Sequence, residues 1–110
     1  MINLRALKVS KHYSNDRQMR QEQIETVVGG NWGTVIKEEY YKGAWRCLTD
    51  MGLIFIIDDN KTLIITYYLA SGSIVSGMFH GNVPKYINRR ISDNARKYNE
   101  IYETSIKNAV

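Results

Sequence analysis

His12, Arg17, Arg20 and Arg46 are the side chains of this sequence best suited to chemistry at a phosphodiester. Cleaving RNA without a metal takes a base to deprotonate the 2′-hydroxyl and cationic donors to hold charge developing on the phosphate. It also takes an acid to protonate the leaving 5′-oxygen. His12 fits the first or last role, because imidazole titrates nearest neutral pH. The arginines fit the second, because a guanidinium meets phosphate oxygens with two parallel hydrogen bonds. Tyr67 or Tyr68 would supply a hydroxyl at the end of a strand, and strand alternation lets only one of the two face such a site. His80 is the other histidine. Each residue also has a plainer role. His12 can cap a helix or sit in solvent. Arg17 and Arg20 can face water or pair with Glu22 and Glu25. A charged residue in a strand, such as Arg46, must face solvent, a partner charge or a ligand. Cys47 suits a small core position.

Other chemistries fit less well. Asp58-Asp59 with Glu38-Glu39 suggests a metal site, but neighbours on one strand point to opposite faces and the aspartates belong to a turn. Gly29-Gly30-Asn31-Trp32-Gly33 lacks the lysine and the strand-to-helix context of a phosphate loop. It reads as a helix stop and a turn, with Trp32 as an anchor. Neither a metal nor a cofactor is expected.

The elements that must position these residues are legible from pattern. Residues 2–9 read as a short edge strand. Ser14 or Asn15 can cap a helix over 15–28, with Asn15 and Gln18 spaced as in a capping box. Met19, Gln23, Val27, Ile24 and Val28 mark one face of it, and Gly29-Gly30 ends it. Strands follow over 34–41, 44–49, 53–57 and 62–68, separated by turns at Lys42-Gly43, Asp50-Met51-Gly52 and Asp58 to Lys61. Leu53 to Ile57 is an unbroken apolar run, as in a central strand covered on both faces. The short connections predict an antiparallel meander. Ile74 to Phe79 reads as a fifth strand or an ordered loop. Pro84 opens a helix over 84–107, on which Ile87, Ile91, Ala95, Tyr98, Tyr102 and Ile106 recur at helical spacing. The fold class is α+β: an N-terminal helix, a four- to five-stranded antiparallel sheet and a long C-terminal amphipathic helix.

A chain of 110 residues suits a single domain, 1–110. No apolar run reaches the roughly 20 residues of a membrane helix, and the start lacks the apolar stretch of a signal peptide. Cys47 is the sole cysteine, which favours a reducing, cytoplasmic setting. The net charge of +4 is uneven: residues 1–30 carry +2, 31–60 carry −2, 61–83 carry +1 and 84–110 carry +3. Basic ends suit nucleic acid or an acidic protein partner, and equally a solubilising surface. Tyr40, Tyr41, Trp45, Tyr67 and Tyr68 lie on expected strands, where exposed rings among arginines could stack on unpaired bases.

Over residues 9–69 the chain resembles the DUF4258-like small proteins, related to the barnase–EndoU–colicin–RelE-like ribonuclease fold. The residues carrying the likeness are Ser10-Lys11-His12, Arg17, Arg20 and Ile24-Glu25-Thr26-Val27-Val28 before a glycine. Further on they are Tyr40/Tyr41, Arg46, Gly52 to Ile57, Asp58-Asp59 and Ile64-Ile65-Thr66-Tyr67. The chain departs from the family where Asp16 replaces a usual arginine, where Gln21-Glu22-Gln23 shortens a break, and from residue 70 onward. The resemblance implies an RNase-like protein, toxin or phage-associated, cleaving RNA by transesterification to a 2′,3′-cyclic phosphate. His12, Arg46 and Tyr67 would be catalytic, and Arg17, Arg20 and Tyr68 would bind substrate. The competing reading is a non-enzymatic inhibitor of a nucleic-acid-processing protein, anti-CRISPR-like, or a nucleic-acid-binding accessory. The expected partners are therefore RNA, such a protein or an antitoxin, with no membrane. Homodimerisation through the tyrosine-rich face of residues 86–106 is compatible with both.

Overall fold

The structure is a computed structural model and describes residues 2–10 and 15–103, with backbone alone for 15–17. A 3-10 turn at Leu4–Ala6 leads into β1 (Lys8–Val9), and α1 runs over Asn15–Val28. Four strands follow: β2 (Val35–Tyr41), β3 (Ala44–Thr49), β4 (Leu53–Asp58) and β5 (Leu63–Leu69). A short helix α2 (Gly72–Met78) precedes α3 (Lys85–Tyr98), which continues as a π-helical turn over Asn99–Glu103. The protein is α+β. Ser14 and Ile106, singled out above as a cap and a core position, lie outside the described residues.

The sheet order is β1-β5-β4-β3-β2. From β2 to β5 it is an antiparallel meander, but β1 lies parallel to β5, pairing Lys8 with Leu63 and Val9 with Ile64. The sheet is thus mixed, because the first strand reaches its neighbour from across the whole chain and not through a hairpin. The fifth strand expected at 74–79 is also corrected. Ser71 accepts a hydrogen bond from the Ile74 amide at 3.3 Å, and that N-cap starts helix α2, whose Val75 and Met78 are buried. Four apolar residues in six suit a buried strand and one turn of helix equally, and the packing of Val75 and Met78 with Leu48, Ile54 and Ile87 selects the helix that the cap starts.

Two layers cover the sheet unequally. On one face Ile24, Val27 and Val28 of α1 pack with Leu4 and Trp32 over Cys47, Leu53, Phe55, Ile57, Ile64 and Tyr67. On the other, Val75, Met78 and Ile87 from α2 and α3 pack over Leu48, Ile54 and Ala70. The second cover is partial: Ile56, Thr66 and Tyr68 are half-buried and Tyr41 is 51% exposed.

Local chemistry sets the joints. Gly29 and Gly30 take positive φ (61° and 73°) and end α1, and the Gly30 N–H returns to the Glu25 carbonyl at 3.0 Å. Asp58 closes the β4–β5 turn by accepting from the Thr62 and Leu63 amides at 2.7 and 2.8 Å, which holds its carboxyl below the usual range. In α1, Met19 is 54% exposed although its spacing marks the core face, while Gln23 holds α3 by accepting from Tyr98 Oη at 3.0 Å. In α3 the inward position falls to Asn94 and not to Ala95, which is exposed. Asn94 donates to the Met51 carbonyl at 2.8 Å and ties α3 to the β3–β4 turn.

Candidate functional site

Strand register sorts the candidate residues by face. One row across the partly open face runs Glu39, Arg46, Ile56, Thr66 on β2, β3, β4 and β5. The next row on that face ends in Lys37, Leu48, Ile54, Tyr68. The row between them runs Glu38, Cys47, Phe55, Tyr67 and faces α1. Arg46 and Tyr68 therefore share a face, and Tyr67 belongs to the other. The pairing of Arg46 with Tyr67 in one site is corrected.

Tyr67 is part of the core. Its ring stacks on Phe55 at a centroid distance of 4.9 Å, and its hydroxyl donates to Glu25 Oε1 at 2.7 Å. The same carboxylate oxygen accepts from Trp32 Nε1 at 2.6 Å. Arg5 lies 3.6 Å over the Trp32 ring and donates to the Gly30 carbonyl at 2.6 Å. Burial and the Glu25 carboxylate push the Tyr67 phenol well above its ordinary pKa, so it stays a neutral donor. This network locks α1, the Trp32 loop and β5 together. Cys47, also on this face, is fully buried, and burial pushes its thiol up to about 12, away from nucleophilic use.

Arg46 sits differently. Its guanidinium pairs with Glu39 across the β2–β3 ladder and lies 5.0 Å from the Tyr41 ring centroid. Its Nε is buried with no acceptor among the described residues. Burial raises the Tyr68 phenol, and the Arg46 charge partly offsets this, so Tyr68 too is a neutral donor near pH 7. Arg20, exposed on α1, comes round the edge of β5 and lines small cavities with Tyr68.

The remaining candidates separate. His12 and the Arg17 side chain lie outside the described residues. His80 follows α2 with φ 52° and is exposed. Among the described residues no group of three His, Cys, Asp or Glu is placed to hold a metal ion. A groove of about 820 Å3 runs by Ile2, Ile36, Lys37, Glu38 and Lys61 at the β2 edge. Glu38 is already engaged there, accepting from the Ile2 amide at 3.1 Å and from Lys61 at 3.4 Å. Glu39 is the site residue that sequence patterns missed. Glu39 was legible only as one of an acidic pair, and its place opposite Arg46 depends on hairpin register.

Among the described residues no helix is long and apolar enough to cross a membrane. No family model, no curated protein and no solved structure matches the chain.

Proposed function

We propose that this protein acts on single-stranded RNA through the partly open face of its sheet, with Arg46 holding a phosphate. The observation that carries this reading is that Arg46 on β3 and Tyr68 on β5 lie on the same partly open face, with Arg20 at its flank. The Arg46 side chain keeps about a fifth of its surface exposed, and a guanidinium meets phosphate oxygens with two parallel hydrogen bonds. Tyr41, exposed beside Arg46, offers a ring for base stacking. Cleavage would be metal-independent. The 2′-oxygen attacks phosphorus, its proton passes to a base, and the 5′-oxygen leaves with a proton from an acid. His12 is the candidate for base or acid. Tyr68, held neutral, donates a hydrogen bond and does not accept the proton. Arg46 would stabilise the extra negative charge on the phosphate. The protein would then be an RNase-like toxin or phage-associated enzyme working in the cytoplasm.

A second reading, inhibition of a nucleic-acid enzyme by complex formation, is favoured by two observations. Arg46 is already matched by Glu39, and Tyr40, Tyr41 and Tyr86 each stand more than half exposed, as contact residues do in protein interfaces. Incubating the protein with labelled mixed-sequence RNA in excess chelator separates the two. Cleavage that is lost in His12→Ala and Arg46→Ala supports the enzyme. RNA binding without cleavage leaves a binding protein, and neither binding nor cleavage overturns the RNA reading in favour of the inhibitor.

A further inference from the structure

Helix α3 carries a net charge equal to that of the whole chain. The sequence has 15 Lys/Arg and 11 Asp/Glu, for a net +4. On α3, Lys85, Arg89, Arg90, Arg96 and Lys97 stand against Asp93 alone, which leaves ten basic and ten acidic residues everywhere else. Lys85, Arg89, Arg96 and Lys97 are exposed, while Ile87 and Asn94 are buried on the opposite side of the helix. Lys85, Arg89 and Arg96 follow at steps of four and seven residues, so they line one outer stripe about 16 Å long.

This arrangement does not serve the helix itself. Lys85 stands in the first turn, where the positive end of the helix dipole disfavours a cation, and neither an acidic residue of that turn nor a side-chain cap offsets it. Lys85 and Arg89 are like charges one turn apart, which disfavours the helix again. Among the described residues, Lys85, Arg89 and Lys97 have no ion-pair partner. Arg96 shares its charge with Asp93 at 3.2 Å and Glu100 at 3.9 Å. An anion from outside the chain relieves the repulsion between Lys85 and Arg89.

The chemistry of the stripe narrows the partner. A helix lying on a membrane turns its large apolar residues to the lipid. Here Ile87 and Ile91 pack into the core and are not available for that. A protein interface has a charge-poor centre, whereas this stripe is charged along its length and has one large ring beside it, Tyr86, 57% exposed. Cations in a row with a ring alongside suit a single-stranded nucleic acid, whose phosphates follow one another and whose bases offer faces for stacking. Through Ile87, α3 also packs over Leu48, on the sheet face that carries Arg46 and about 7 Å from it along β3.

Resting on the RNA reading above, we infer that the outer stripe of α3 is a second contact for single-stranded RNA, with Lys85 and Arg89 holding phosphates and Tyr86 stacking on a base. The contact adds affinity without reading sequence. The test measures binding of a 2′-O-methyl oligo(U) of about sixteen nucleotides, which attack by a 2′-hydroxyl cannot cleave, over a series of salt concentrations. The double variant Lys85→Ala/Arg89→Ala replaces two exposed side chains with a strong helix former, so the fold is kept. It should lower the slope of log affinity against log salt by about 1.4, two phosphates on a single strand. NMR titration of wild type with the same oligomer should shift the Tyr86 and Arg89 amides. An unchanged slope, or α3 amides that do not move, overturns the stripe and leaves the RNA reading standing. Poly(glutamate) bound as tightly as the oligomer, and lost in the same variant, gives the stripe to an acidic protein and overturns the RNA contact. Failure of wild type to bind the oligomer overturns both this contact and the RNA reading.

Discussion

Glu25 shows how one side chain can be committed to structure in a chain rich in candidate acids. Its Oε1 accepts from Trp32 and from Tyr67, two donors largely withdrawn from water. Hydrogen bonds to a charged acceptor contribute roughly 1.5–3 kcal/mol each, and removing the acceptor strands both donors. Glu25→Ala should therefore lower stability by about 3 kcal/mol, read as a shift in the urea midpoint. Glu25→Gln, which keeps an acceptor oxygen, should lose about 1 kcal/mol. Adding Tyr67→Phe to Glu25→Ala should cost less than Tyr67→Phe alone, because the hydroxyl has already lost its partner. If the two changes are simply additive, the network is not what holds these residues. The contrast with Tyr68 is instructive: the next residue along β5 turns the other way, to the face that Arg46 occupies.

At the scale of elements, the contact between α3 and the β3–β4 turn decides how much of the sheet stays open. Gly52 has φ 77°, and a Cβ there would stand 2.7 Å from Asn94 Nδ2 and 3.1 Å from Arg90 Cγ. Both the left-handed backbone and the close approach of α3 require glycine. Gly52→Ala is expected to destabilise by about 2 kcal/mol or more, from strain and from displacement of the Asn94 bond to Met51. Thermal unfolding followed by circular dichroism measures this, and an unchanged midpoint would mean that α3 does not bear on the turn. Helices α2 and α3 cover the end of the face over Leu48 and Ile54 and leave the row from Glu39 to Thr66 accessible. That division leaves Arg46 part-exposed, while Cys47, its neighbour, turns to the other face and into the core under α1.

For the molecule as a whole, charge and cover combine. The acidic middle segment spends Glu38, Glu39, Asp50 and Asp58 on internal partners, namely Lys61, Arg46, the Thr34 amide and the β4–β5 turn. The cations Arg20, Arg89 and Lys97 are all exposed and contribute to the net +4. RNA binding through the open face should weaken with salt, and Arg46→Ala should reduce the slope of log affinity against log salt by about 0.7, one phosphate on a single strand. An unchanged slope with reduced affinity would put Arg46 in a packing role and not on a phosphate. The order of α1, the strands β2 to β5 and α3 was readable because apolar spacing and glycine turns act within a few residues. Pairing of Arg46 with Glu39, and of Tyr67 with Glu25, was not, since those partners are set by hairpin register and by helix docking.

The sequence by itself determined the α+β class, the helix stop at Gly29-Gly30, the antiparallel run from β2 to β5 and the lone thiol at Cys47. These follow from local steric and hydrophobic rules. Only the tertiary structure decided that β1 joins parallel to β5, that residues 72–78 are helical, and which of Tyr67 and Tyr68 shares a face with Arg46. The physical reason is common to all three. A short apolar stretch can satisfy its burial and its backbone hydrogen bonds in more than one way. The partner across space, distant in sequence, selects among them.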